Sequence, residues 1–294
     1  MRCDRVLMAL VAASAALAQS DSGTRAIVPE AVVQARPRTT TAAPTAGAKY
    51  QTVGDAVTAS VRQPLPSRQI GVTVWRLRAA TLADSGARIL VQEGSNTVER
   101  VPERVGINTN LREGDRVRLT IESPDTGFLY VIDRERYASG ERGMPYLIFP
   151  TSRTRSGDNH VSGGKLIDIP GQDDRPNFFT LRHSRADQSE EELTVILTPE
   201  PLKGLDIGPK ALPLPTELVT GWEKQWGTGS VERFELSGGA GKPWTKAEQE
   251  VAADRTRLLM QEDPAPQTVY RVVVKPGGPL LVKVRLRYSS TAGR

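Results

Sequence analysis

Thiols, imidazoles and aromatic rings are scarce in this 294-residue chain, which has one cysteine, two histidines and 5% aromatic residues. A lone cysteine, Cys3, excludes a disulfide framework and cysteine-ligated metal chemistry. Zinc requires three or four ligands, and His160 and His183 stand far outside a His-x-x-x-His spacing. No Gly-x-Ser-x-Gly elbow marks a serine hydrolase. The Gly241-Lys242 pair is not a phosphate loop, because Leu236 stands where the first glycine belongs and Pro243 replaces the magnesium-holding Ser/Thr. Beyond the amino-terminal segment no apolar run approaches the ~20 residues that a membrane-spanning helix needs. Neither charge sign dominates. Thirty-nine Lys and Arg face 34 Asp and Glu, a surplus of +5 that lacks the clustered stripe of a duplex-binding domain. No cofactor and no nucleic acid is expected.

What is present is the material of turns and strands: 26 glycines, 21 prolines, 38% hydrophobic and 25% charged residues. The amino terminus carries Arg2 and Arg5, an apolar run from Val6 to Leu17, and Ala16-Leu17-Ala18 before Gln19. That is the pattern of a secretory signal peptide over residues 1–18, with cleavage after Ala18. The expected protein is exported, periplasmic or extracellular, and loses Cys3 with the leader. Cys3 precedes the apolar run, so it is not a lipoprotein acylation site. Arg2, Arg5 and Asp4 carry a net +1 away with the leader, which leaves +4.

Residues 19–70 have linker texture, with Thr39-Thr40-Thr41, Ala42-Ala43-Pro44 and Pro64-Leu65-Pro66 among small residues. A flexible tether is expected there, with Ala26 to Val33 as a short helix or partner-bound segment. From Gly71 the texture changes to strands. Val117, Leu119 and Ile121 alternate with Arg116, Arg118, Thr120 and Glu122, the period of a strand with one wet face. Phe128 to Ile132 is an unbroken apolar run, which predicts a central strand covered on both faces. Further strands are predicted at Tyr146–Phe149, Leu166–Ile169, Phe178–Leu181 and Leu193–Leu197. Together they predict a mainly β fold, an antiparallel β-sandwich (Ig-like or related) over residues 71–200.

A proline- and glycine-rich helical insert is predicted over 201–266. Leu218, Trp222 and Trp226 recur at helical spacing within Thr216–Trp226. Thr245 and Glu248 form a capping box before Val251, Leu258 and Leu259, and Asp263-Pro264 ends that helix. Residues 267–294 are predicted to close the chain as a hairpin, Thr268–Val274 and Leu280–Tyr288 joined by Pro276-Gly277-Gly278-Pro279.

The stretch from Val105 to Pro199 resembles a bacterial domain of unknown function, the family numbered 4384. Gly114-Asp115, Gly127-Phe128-Leu129-Tyr130-Val131, Phe149-Pro150, Asn159 with Gly163-Gly164, Ile169-Pro170 and Glu192-Leu193 carry the resemblance through their order and spacing. It covers about a third of the chain and is expected to extend back to Gly71. It implies a β-rich, exported accessory module and carries over no catalytic residue.

Among candidates for chemistry, a cationic group leads. Arg134, Arg136, Arg142, Arg153 and Arg155 flank two neighbouring strands, with Tyr137 and Tyr146 among them. Converging at one end of a sandwich, they would offer bidentate donors to phosphate or carboxylate groups. An envelope protein, an anionic glycan or a lipid headgroup would be the partner. Dispersed, they would be solubilising charges paired with Asp133, Glu135 and Glu141. A hydrolase reading would use His160 with Asp158 and Asp168. Calcium would need loop oxygens of Asp158, Asn159, Asp168, Asp173 or Asp174, none at the Asp-x-Asp-x-Asp-Gly spacing. Glu190-Glu191-Glu192 reads as a solvated strand entry. Trp222, Trp226 and Trp244 could stack on sugars, although helical spacing favours packing on the sheet. The remaining reading is a structural component of an envelope assembly. The leading expectation is a non-enzymatic exported binding module.

Overall fold

A computed structural model describes residues 30–34, 36–38, 49–53, 67–84, 86–275 and 277–289. The leader, its cleavage site and most of the 19–70 segment lie outside the described residues. Chain order begins with helix α1 (Glu30–Gln34), strand β1 (Tyr50–Thr52) and the thirteen-residue β2 (Ser67–Ala79). A hairpin follows, β3 (Ile89–Glu93) and β4 (Asn96–Val105), then β5 (Asn110–Leu111) and the alternating strand β6 (Arg116–Glu122). Long β7 (Gly127–Tyr137) leads to β8 (Tyr146–Phe149), β9 (His160–Val161), β10 (Leu166–Ile169) and β11 (Phe179–Thr180). Next come β12 (Gln188–Thr198), β13 (Leu212–Pro213), α2 (Thr216–Trp226), β14 (Val231–Leu236) and α3 (Lys246–Ala253). β15 (Thr268–Val273) and β16 (Leu280–Tyr288) complete the set.

These strands form the two sheets of a β-sandwich. Sheet A runs β1-β14-β15-β2-β4-β3, with β6 also on β2 and β10 and β11 beyond β6. β2 is long enough to serve three neighbours. β15 takes its residues 67–72, β4 its residues 74–79, and β6 spans 71–76 on the opposite edge. Sheet B runs β13-β8-β7-β12-β16-β5, with β9 on β7. Every pairing is antiparallel except the short β16–β5 contact.

Alternation decides what fills the space between the sheets. Ile70, Val72 and Val74 of β2 and Val117, Leu119 and Ile121 of β6 meet Leu129 and Val131 of β7, Leu193, Val195 and Leu197 of β12, and Val282 and Val284 of β16. Both outer faces are roofed as well. Val219, Trp222 and Trp226 of α2 pack with Tyr130, Ile132, Ile196 and Leu281 on sheet B. Trp244 and Ala252 pack on Trp75 of sheet A. Because both its faces are covered, the apolar run at 128–132 lies within a central strand, as its composition predicts. Among the described residues no helix is long and apolar enough to cross a membrane.

Three sequence expectations are corrected. The last two strands are not a hairpin: β15 pairs with β14 and β2 in sheet A, whereas β16 pairs with β12 and β5 in sheet B. Both alternate, and each feeds the same core from its own side. Residues 201–266 are not a helical insert set apart, since β13 extends sheet B and β14 extends sheet A. The capping box at Thr245 and Glu248 forms, but α3 stops at Ala253. Asp254 Oδ1 accepts from Thr256 and Arg257 backbone N–H at 2.9 and 3.2 Å, a local turn that competes with the next helical bond.

The tether reading also gives way at two places. β1 pairs with β14. Arg36 is buried, its Nε and Nη2 donating to both oxygens of Glu122 at 2.9 and 2.6 Å, and its Nη1 donating to the carbonyls of Met260 and Asp263. A buried bidentate ion pair docks a segment that its composition leaves unanchored.

Candidate functional site

The outer face of sheet B beyond α2 is built by period-two alternation in three adjacent strands. β7 sends Asp133, Glu135 and Tyr137 toward the interior, so Arg134 and Arg136 stand outside. β16 likewise puts Lys283, Arg285 and Arg287 outside, and β12 between them presents Glu190 and Glu192. Register places Glu192 opposite Arg134 and Arg285, and Glu190 opposite Arg136 and Arg287. The turn after β7 returns Arg142 beside Arg136, and α2 contributes Glu223. Two cationic rows thus flank one acidic row.

Glu192 is the hub, with 0% exposure. Arg136 Nη1 and Lys283 Nζ lie 3.1 and 3.0 Å from its oxygens, Arg285 Nε lies at 3.6 Å, and Arg142 Nη2 also donates to it. Glu223 ties Arg142 and Lys283 at 2.8 and 2.9 Å. Glu190 holds Arg287 at 3.4 Å and Arg136 at 3.5 Å. Burial pushes the Glu192 carboxyl up, but Lys283, Arg142 and Arg136 outweigh it and leave the group below its ordinary range. The charge balance is six cations to three carboxylates. Arg134 contributes to that surplus: it is 6% exposed, its Nε donates to the Gly143 carbonyl at 2.7 Å, and its Nη1 has no acceptor among the described residues. Burial, together with neighbouring Arg142, pulls the Arg134 guanidinium below its usual range.

The five sequence-predicted arginines therefore divide. Arg134, Arg136 and Arg142 converge; Arg153 and Arg155 do not. β8 runs back along β7, and the loop after Phe149 emerges near Phe128, where β9 pairs. Eight residues of extended β7 separate Phe128 from Arg136, about 26 Å at ~3.3 Å per residue. Arg155 there lies 3.7 Å from Asp158 and donates to the His160 carbonyl at 3.4 Å. The carboxylates expected to neutralise the group also fall elsewhere. Asp133 and Glu135 face the interior, and Glu141 pairs with Arg185 at 2.7 Å. Lys283, Arg285, Arg287 and Glu223 escaped the sequence reading as site residues, and Glu192 was read only as part of a strand entry. The alternation of β16 showed that its cations are outward, but only cross-strand register shows what they face.

Behind this stripe, inside the same end of the sandwich, lie two neighbouring acids, buried Glu191 and half-buried Asp133. Asp133 and Glu191 lie close enough that each acts on the other's carboxyl. Tyr288 Oη and Gln188 Nε2 donate to Glu191 Oε1 at 2.9 and 2.8 Å. Burial raises both carboxyls, Glu191 the more because Asp133 adds like charge. Nearby, Ser184 Oγ donates to Glu135 at 2.6 Å, as does Tyr137 Oη at 2.5 Å. The His183 ring meets Tyr288 edge-on at 4.1 Å. The reading of Glu190-Glu191-Glu192 as a solvated entry is thus corrected: Glu191 and Glu192 are buried because β12 is flanked on both edges by β7 and β16.

The hydrolase constellation is not assembled. His160 is exposed on β9 of sheet B, its ring against Phe128 at 5.2 Å. Asp158 accepts from the His160 backbone at 2.9 Å, while Asp168 is buried on β10 of sheet A against Arg118. Among the described residues no three His, Cys, Asp or Glu side chains converge as metal ligands. The tryptophans pack: Trp222 and Trp226 stack at 5.7 Å against sheet B, and Trp244 lies 5.4 Å from Trp75. Val219 is buried and Leu218 exposed, so the helix face turns one residue from the predicted one.

No protein-family model, curated protein or solved structure matches the chain.

Proposed function

We propose that this chain is an exported, non-enzymatic binding module that holds an anionic envelope glycan on the outer face of sheet B. One observation carries the reading: β7, the turn after it and β16 set six cations around three carboxylates of β12 and α2. Ion pairing to Glu192, Glu190 and Glu223 restricts the guanidinium forks before any partner arrives, which lowers the ordering cost of binding. Within each row, alternate residues recur every ~6.6 Å along the strand. Repeated charge on a flat, rigid face suits a polymer with repeating carboxylate or phosphate groups more than a single compact anion. Export is supported by Arg2, Arg5 and the Val6–Leu17 run, and the resemblance to the family numbered 4384 points to the same setting.

The test is retention of the full chain on immobilised polygalacturonate as salt is raised. Arg285→Ala/Arg287→Ala removes two half-exposed cations whose loss leaves the core intact. Retention should fall and its salt dependence should flatten. Retention indifferent to salt, or equal for the double variant and the wild type, refutes the reading.

A further inference from the structure

A second cationic feature lies between the sheets at the end where β5 and β16 terminate. It is a cleft of about 570 Å³ lined by Arg76, Arg78, Arg100, Arg112 and Arg116, with Ser289 at its border. None of these arginines belongs to the stripe on sheet B. They come from β2, β4, β6 and the turn between β5 and β6. That turn is set by Gly114, whose φ of +85° disfavours other residues, and by Asp115 accepting from the Arg112 backbone N–H at 2.9 Å.

The arginines are held in place without being used up. Glu103 gives one oxygen to Arg76 at 2.5 Å and the other to Arg78 at 3.0 Å. Glu93 divides itself the same way, Oε1 to Arg100 and Oε2 to Arg116, each at 2.8 Å. Arg78 is further clasped by both oxygens of Asp84 at 2.6 and 2.8 Å. Donors remain. Arg112 is exposed, and its guanidinium has no ion-pair partner among the described residues.

We propose that this cleft binds a small ligand through a phosphate group. The lining arginines come from four separate elements, β2, β4, β6 and the β5–β6 turn, and Arg112 on the turn is the one without an ion-pair partner among the described residues. A planar carboxylate presents its lone pairs in one plane and suits one or two forks. A tetrahedral phosphate presents oxygens in several directions and suits arginines that approach from several elements. The volume falls within the ordinary range for small-molecule sites and leaves room for a carrier the size of a sugar.

The experiment is calorimetric titration of the full chain with inorganic pyrophosphate at low ionic strength, with citrate as the carboxylate comparison. Saturable one-to-one pyrophosphate binding is expected, weakened at least about tenfold by Arg112→Ala and not restored by Arg112→Lys, which lacks the fork. Arg112 is exposed and makes no side-chain bond among the described residues, so its variants should unfold at the wild-type temperature. Arg285→Ala should bind pyrophosphate as wild type does, which separates this cleft from the stripe. Absence of saturation by ~10 mM pyrophosphate, equal affinity for Arg112→Ala, or stronger binding of citrate would overturn the proposal.

Discussion

Replacing Glu192 with Gln removes one charge and almost no volume from a carboxyl that is fully buried and faces Arg136, Arg142, Lys283 and Arg285. Removing one partner of a buried ion pair costs ~3–5 kcal/mol, because the other charge is left uncompensated. Here the cations keep 24–46% exposure and recover some hydration. Glu223 and Glu190 also continue to hold them. The lower end applies, about 3 kcal/mol. With a urea m-value of ~3 kcal/mol/M the unfolding midpoint should fall by about 1 M at neutral pH. Glu232→Gln is the control, since it breaks only an exposed pair with Arg271 at 3.1 Å and should cost below ~0.5 kcal/mol. The Glu192 carboxyl titrates below its ordinary range, so its contribution is present above the unfolded pKa and disappears as pH falls through the lowered one. The wild-type and Glu192→Gln midpoints should therefore converge in acid. Added salt should also narrow their gap by screening the exposed cations. A Glu192→Gln midpoint indistinguishable from the Glu232→Gln control would show that the hub carries no stability.

Four further outcomes are expected. Glu191 is raised by burial and by Asp133, so its contribution is full below the ordinary glutamate pKa and is lost as pH climbs through the raised value. A thermal-unfolding profile should decline on the alkaline side for wild type and flatten for Glu191→Gln; parallel profiles would refute a raised Glu191 carboxyl. Gly127→Ala would set a Cβ 2.5 Å from the Thr198 backbone carbonyl, which belongs to the paired strand and cannot turn aside. A loss of ~1–3 kcal/mol is expected in urea, and neutrality would mean that the β7–β12 spacing is looser than described. Ile196→Ala, beneath α2, should cost ~2–5 kcal/mol, against less than ~0.5 for exposed Leu258→Ala; equal effects would deny that α2 seals the outer face. Arg36→Ala strands the Glu122 carboxylate and should cost ~3–5 kcal/mol while speeding proteolysis within residues 30–38; unchanged cleavage would separate that segment from the sandwich.

The legible part of the fold was whatever alternation writes locally. Tyr146–Phe149, Leu166–Ile169, Leu280–Tyr288 and Thr216–Trp226 have the bounds their patterns predict. The docked Arg36 was not legible, because a single arginine among small residues carries no period, and its carboxylate partner is 86 positions away. The candidate site was half legible. Arg134 and Arg136 could be placed on one face by their spacing, and Arg142 by the short turn that follows. Arg153 and Arg155 looked equally close in sequence, yet antiparallel return along β8 carries them to the far end.

Composition and periodicity alone determined that the chain buries apolar side chains between pleated layers, several of the strands that do it, and which side chains of those strands point away from the core. Side-chain direction in a strand follows from backbone geometry two residues at a time. Only the tertiary structure decided which strands are neighbours, that the last two belong to different sheets, and that Glu192 collects cations from β7, β16 and the loop after β7. Those outcomes depend on register between segments separated by up to about two hundred residues. No local pattern encodes register: it is selected by whichever pairing buries the most apolar surface while leaving the fewest charges unmatched.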